Sequence, residues 1–194
     1  MDTFKNLQDI ILDRRSVKPT LMNGQKAENE AIRNLLSLAD WAPTHGRTEP
    51  WRFNVYTGEG LKTFCREHAD LYKANTQQDL FLSSKYEGII KQGELVSHLV
   101  LVYMKRQATK KIPLIEEIAA TAAAVEHILL GAQALGMVSL WSTGGMTHHD
   151  NMKKLLGLSE EDQILGLIYL GYSDEPKTSG KRNIPIEEKI SWFE

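Results

Sequence analysis

The chain predicts an α+β fold in a single domain, and three observations carry that prediction. Four apolar runs have strand length, at residues 51–56, 95–104, 138–142 and 164–170. Segments with helical apolar spacing precede or separate them. The 194 residues, 42% hydrophobic and 25% charged, suffice for one sizeable core, and no linker, internal repeat or low-complexity tract divides them.

Taken in order, Phe4, Leu7, Ile10 and Ile11 share one face of a helix over residues 2–14. A second helix is predicted over 28–41, with Ile32, Leu35, Leu36 and Ala39 facing inward. Residues 51–56 alternate as a strand and end at Thr57-Gly58-Glu59-Gly60; a helix then covers 61–73. Residues 75–92 are polar and ambiguous, helical in parts. The run 95–104 is almost continuously apolar and suits a buried strand, and 105–111 is a basic loop before Pro113. Residues 116–135 give the clearest helix. Its Ala119, Ala120, Ala122, Ala123 and Ala124 leave little side-chain bulk, fitting either high helix propensity or close approach of another backbone, and Gly136 suits its C-terminal cap. A short strand at 138–142 precedes Thr147-His148-His149-Asp150, whose Thr and Asp have capping-box spacing for a further helix. After Gly171 the tail, with Pro176, Gly180 and Pro185, has no regular period and ends in Trp192-Phe193.

Composition narrows the function. The apolar runs are too short to span a membrane and the N-terminus lacks a secretory apolar region, so the expectation is a cytoplasmic protein without membrane association. A net charge of −2 gives no general attraction for nucleic acid. Cys65, the single cysteine, has no partner for an intramolecular disulfide and no evident base, so it reads as a structural or surface thiol. No dinucleotide glycine fingerprint, phosphate-binding Walker loop, nucleophile elbow or zinc spacing is present, and His148 and His149 would diverge by about 100° on a helix.

The chemistry-bearing stretches lie elsewhere. Arg14-Arg15-Ser16-Val17-Lys18 crowds three cations and a hydroxyl beside a helix stop. Such a cluster suits a phosphomonoester, with bidentate Arg donors, a short hydroxyl and a mobile ammonium; it also suits the negative end of a helix dipole. Trp141-Ser142-Thr143-Gly144-Gly145 offers small residues and free backbone N–H groups, or simply a glycine-rich turn.

Together these motifs resemble the nitroreductase family. The Arg-x-Ser-x-Lys element, Ala42-Pro43-Thr44-His45 followed by Glu49-Pro50-Trp51-Arg52-Phe53, Leu140 to Gly145, and the strand from Ile164 to Gly171 occur in the family's order over nearly the whole chain. The spacing is closest to its short, single-domain branch. Glu49 stands where Gln commonly precedes Pro-Trp, and Trp41 where close members can carry a basic residue that contacts flavin.

The resemblance implies a mixed, mainly antiparallel central sheet flanked by helices, in an intertwined homodimer with FMN at the interface. It implies a single FMN-binding domain over 1–194 whose residues 172–194 form an arm on the partner subunit. Arg14, Arg15 and Ser16 would bind at the phosphate end or adjacent flavin edge, and Lys18 near flavin N1 and O2. Lys181 and Arg182 would add a second phosphate contact, although Ser179-Gly180-Lys181-Arg182 equally suits a solvated turn. Pro43, Thr44 and His45 would flank the ring, with His45 on flavin or substrate. Trp141, Ser142, Thr143, Gly144 and Gly145 would bring an N–H to flavin N5. The implied activity is NAD(P)H-dependent reduction of an electron-poor small molecule, a nitroaromatic or quinone, by ping-pong hydride transfer at flavin N5 with no catalytic side chain and no metal. Rival readings are a same-fold flavoenzyme with a specific metabolite, a dehalogenase or dehydrogenase, and a flavin-binding protein without turnover. The basic loop with Lys105, Arg106, Lys110 and Lys111 would be solvated, or would attract the 2′-phosphate of NADPH.

Overall fold

The computed structural model describes residues 2–176 and 178–194. Along the chain run α1 (Thr3–Asp13), α2 (Asn29–Ala39), β1 (Trp51–Tyr56), α3 (Gly58–Ala74), α4 (Ser83–Leu95), β2 (His98–Met104), α5 (Leu114–Ala134), β3 (Val138–Ser142), α6 (Asp150–Leu155) and β4 (Gln163–Gly171). Besides earlier starts of α3, at Gly58 instead of 61, and of α5, at Leu114 instead of 116, two features depart from the sequence reading. Residues 95–97 do not join the strand: Leu95 closes α4, and Val96 N–H donates to the Gln92 carbonyl at 3.1 Å. An apolar run cannot mark that switch, because Leu95 at the helix end, Val96 beyond it and the strand residues from Leu99 are all apolar.

The second departure is the expected capping box. Thr147 is buried, its hydroxyl donating to the Gly144 carbonyl at 2.6 Å, and the cap of α6 is His149, whose Nδ1 accepts from Asn151 N–H at 3.1 Å. The motif's spacing was right for a cap, but the loop had a stronger use for the threonine.

The strands order as β1-β2-β4-β3, every neighbouring pair antiparallel. One parallel bridge, Ser16 to Ser139, makes the sheet mixed. Each face carries its own core. Val100 and Val102 of β2 pack with Ile32 and Leu35 of α2 and Ala124 and Ile128 of α5, whereas Leu99 and Leu101 pack with Leu61 and Phe64 of α3 and Met152 of α6. Burial on both sides explains why β2 reads as an unbroken apolar run. Within α5 the alanines divide: Ala120 and Ala124 face the sheet while Ala119 is exposed. Helix α1 buries no residue at all.

A bulge shapes the far edge. Val102 pairs with Gly166 but Tyr103 with Ile164, so Leu165 is the extra residue, and its carbonyl accepts from Trp141 Nε1 at 2.8 Å. The indole lies where a Cβ on Gly166 would stand, and Gly166 has φ +155°, so this position is confined to glycine. Cys65 sits in the α3 core, and burial pushes its thiol up to about 12, which keeps it protonated and unreactive.

Candidate functional site

The parallel bridge decides where the cationic cluster sits. Arg14 ends α1 in extended backbone, and Val17 N–H donates to the Ser139 carbonyl at 2.9 Å, so residues 14–18 lie along the outer edge of β3 at its N-terminal end. Arg14 is three-quarters buried, and its nearest carboxylate, Glu126, stands 3.9 Å from Nε, too far for a hydrogen bond. Ser16 and Lys18 are exposed, and among the described residues the Lys18 ammonium has no partner.

Arg15 serves differently. Its Nε donates to the Thr178 carbonyl at 3.2 Å and Nη1 to the Arg14 carbonyl at 2.6 Å, while its guanidinium occupies the space of a Cβ on Gly180. This side chain ties the root of the C-terminal tail to the N-terminal motif, which carries Lys181 and Arg182 toward the same edge. Both of those are exposed, and Arg182 Nη1 donates to the Lys181 carbonyl at 3.1 Å. A crevice of about 220 Å³ opens beside Arg15, Ser16, Val138 and Thr178, with Asp13 and Glu175 also on its rim.

At the other end of β3 the chain makes a loop with an orderly set of hydrogen bonds. Gly144 N–H donates to Ser142 Oγ at 3.3 Å, Thr147 N–H to the Gly144 carbonyl at 3.4 Å, and Met146 N–H to Nε2 of His68 at 2.9 Å. Among the described residues the amides of Thr143 and Gly145 have no acceptor, and both residues are exposed. Gly145 has φ +66°, the left-handed conformation that favours glycine. Extended backbone from Ser139 to Thr143 spans about 13 Å at roughly 3.3 Å per residue. One strand thus has a cationic cluster at one end and, among the described residues, a pair of unengaged N–H donors at the other.

His68 is the residue that sequence reasoning missed. It lies inside the helical period of α3 and is 3% exposed, so it reads as a core position. Because Nε2 accepts a hydrogen bond, the ring proton is on Nδ1. Burial lowers its pKa from 6.5 to about 4, with Lys85 of α4 adding to the shift. A folded value below the unfolded one gives stability that is present above pH 6.5 and is lost as the pH falls toward 4. The drop attributable to His68 should be roughly 3 kcal/mol, and denaturant titrations of the native chain and His68→Gln over that range would reveal it as a difference in slope.

The loop with Pro43, Thr44 and His45 is docked on α5. His45 Nδ1 and Glu116 Oε2 are 2.6 Å apart, the Thr44 and Thr48 hydroxyls 3.0 Å, and Gly46, at φ +61°, lies against Ile112. Glu49 also has a positive φ, +42°, and Arg52 Nη1 donates to its carbonyl at 2.8 Å. In the strand order β1 and β3 are opposite edges, so within one protomer this loop and the Thr143–Gly145 loop share an end of the sheet but stand about 14 Å apart, three strand spacings. The structure brings Arg14, Arg15, Ser16 and Lys18 to the tail root and to β3; it does not bring His45 to them.

The basic loop before α5 is only partly solvated. Lys110 pairs with Glu161 at 2.8 Å, and Arg106 turns inward to the fully buried Glu117 carboxylate, also donating to the Ile112 carbonyl at 2.8 Å. Arg106 is therefore unavailable to a nucleotide phosphate, correcting the sequence expectation for this residue.

Comparison with known proteins decides the family. The model of the Nitroreductase family matches residues 11–172. The chain belongs to the nitroreductase family. YfhC of Bacillus subtilis, provisionally named an NAD(P)H nitroreductase, is 24% identical over 95% of this chain and 93% of its own. The crystal structure of a nitroreductase-like family protein from Bacillus cereus is 27% identical, covering 100% of this chain and 99% of that one, with a TM-score of 0.82. The FMN-dependent nitroreductase NfnB of Mycobacterium smegmatis, solved with NADPH, shares the fold at 16% identity, covering 100% of both chains, with a TM-score of 0.74. The α+β nitroreductase fold expected from the motifs is thereby confirmed. No helix among the described residues is long and apolar enough to cross a membrane.

Proposed function

We propose that this nitroreductase family member is an FMN-dependent NAD(P)H oxidoreductase that reduces electron-poor acceptors such as nitroaromatics or quinones. One observation carries the reading: β3 holds the Arg14–Ser16–Lys18 cluster at one end and the free Thr143 and Gly145 amides at the other, a spacing suited to a flavin mononucleotide with its phosphate at one end and its reactive ring at the other. The residues present fit the group. Arg14 lacks a close anionic partner, Ser16 offers a hydroxyl, and Lys18 offers a mobile charge for the electron-rich edge of the ring. Bound FMN would supply the hydride chemistry, accepting from a nicotinamide and giving to the acceptor.

The chain's own contribution is binding, orientation and electrostatics. Arg14 and Ser16 anchor the phosphate, with Lys181 and Arg182 supplementing it once Arg15 has fixed the tail. Lys18 favours negative charge at the adjacent ring edge. The amides of Thr143 and Gly145 donate toward the reacting edge of the ring, and the glycines let the backbone approach it. Trp141 spends its indole N–H on the Leu165 carbonyl, so its part is to brace the strand beneath the loop.

The working unit in this reading is a homodimer, and residues 1–194 form one domain whose segment 172–194 is an arm that clasps the partner. A lone protomer leaves Trp41 85% exposed, Trp192 85% and Phe193 95%. An apolar groove of about 380 Å³ lies between Leu7, Ile10, Leu38, Trp41, Leu130 and Ala134. Aromatic surface of this size is what association would cover. The dimer also supplies Pro43, Thr44 and His45 to a flavin from across the interface, overcoming their distance within one chain. The purified protein should be yellow or turn yellow with FMN, and anaerobic NADPH should bleach the flavin band. A protein that stays colourless after FMN addition would refute the proposal, and bleaching without turnover on nitroaromatics or quinones would redirect it to a metabolite-specific substrate.

A further inference from the structure

We propose that His68 is a positioning residue of the candidate flavin loop: by accepting the Met146 amide, its buried imidazole fixes the direction in which the Gly145 N–H points. The inference rests on the reading of that loop as the one facing the flavin ring.

Four features converge. The acceptor and its donor are both buried, with a separation of 2.9 Å between Met146 N and His68 Nε2. His68 is separated from this loop by some 78 residues of sequence and reaches it from α3, the layer packed under the sheet, so the contact joins the loop to a rigid helix. Gly145 is shaped around the ring: an added Cβ would stand 2.5 Å from Nε2, and its φ of +66° turns the chain so that the neighbouring amide faces the histidine. Finally, Gly144 is clamped through both of its peptide groups, by Ser142 Oγ on the amide and by Thr147 on the carbonyl. The clamp and the histidine bracket Gly145 from both sides. Gly145 itself is exposed, and among the described residues its N–H has no acceptor. An oriented amide needs no reorganisation when negative charge arrives, which is the condition for an effective electrostatic contact.

Desolvation keeps the ring neutral at physiological pH, so Nε2 stays an acceptor. A leucine at this position would fill the cavity but accept no hydrogen bond. A glutamine retains an acceptor oxygen on a flexible stem of similar reach.

The test uses the full-length FMN-loaded protein and, separately, the FMN-free chain. In the FMN-free chain, His68→Leu should speed hydrogen exchange of the Met146 amide at least tenfold, whereas His68→Gln should leave it within about threefold of the native rate. In the loaded protein, His68→Leu should retain FMN but reduce it with NADPH at least tenfold more slowly and shift the flavin absorption band; His68→Gln should restore both. Gly145→Ala, which crowds the histidine without removing it, should reproduce the slow reduction and covers the case in which His68→Leu does not fold. Native exchange at Met146 in His68→Leu, or a native reduction rate in Gly145→Ala, would overturn the proposal. A native chain that binds no FMN would instead defeat the functional reading, while the exchange measurement would still judge the anchor.

Discussion

Replacing Arg106 with alanine should destabilise the protein by about 3–5 kcal/mol, the usual cost of leaving one member of a buried ion pair without its partner. Glu117 is fully buried in the first turn of α5, one of its carboxylate oxygens faces the Arg106 guanidinium, and the other, Oε1, has no hydrogen-bond partner among the described residues. Without Arg106 the carboxylate is left buried with no cation beside it, which costs folding energy. The Arg106 guanidinium also ties the basic loop to the Ile112 carbonyl, and Ile112 packs on Gly46 in the His45 loop; the backbone N–H of residue 106, which donates to Asp162 Oδ1 at 2.9 Å, is kept in the alanine variant. A fall in melting temperature of roughly 6–20 °C is expected for a chain of this size. Replacing both residues by methionine should recover much of the loss, since the pair's own desolvation disappears with it. Equal denaturation midpoints for the native protein and Arg106→Ala would show that the pair does not stabilise the fold.

Arg14→Ala should weaken FMN binding by about 1.5–3 kcal/mol, the range for hydrogen bonds to a charged group, or about 10- to 150-fold in dissociation constant. Arg14 carries this expectation rather than Arg15 because their surroundings differ. The Arg15 guanidinium is committed to the Thr178 and Arg14 carbonyls, while among the described residues the carboxylate nearest Arg14 is 3.9 Å away. Stability should change little, because the pair with Glu126 is long and Glu126 is half exposed. Fluorescence titration of the flavin would measure the loss, and an unchanged affinity would remove Arg14 from the site.

Most helices and strands were legible from local pattern: α2 and α3 bury a periodic face, β2 is an unbroken apolar run, and α1 shows helical apolar spacing although it buries no residue. The inward positions Ile32, Leu35 and Ala39 were readable from spacing alone, as were the limits of β1 and β3. The motifs that carry the family resemblance were equally local, each a run of adjacent residues. His68 could not be found that way: it occupies an ordinary core phase of α3, and what distinguishes it is an amide contributed by a distant loop. Arg106 was misread for a related reason. A lysine- and arginine-rich loop looks solvated until a buried carboxylate from the next helix is brought against one of its members.

The sequence by itself determined most elements and their order, α4 in its ambiguous polar stretch excepted, together with the apolar faces and the cationic and glycine-rich stretches, since those depend on residue type and on spacing within a few turns. Tertiary structure alone decided which arginine was left without a close partner, that Thr147 would close a loop instead of capping a helix, and that a core histidine would hold the Gly145 turn. Hydrogen bonds and ion pairs are satisfied by whatever the fold brings within about 3 Å, and proximity between residues far apart in the chain is a property of packing that no local pattern encodes.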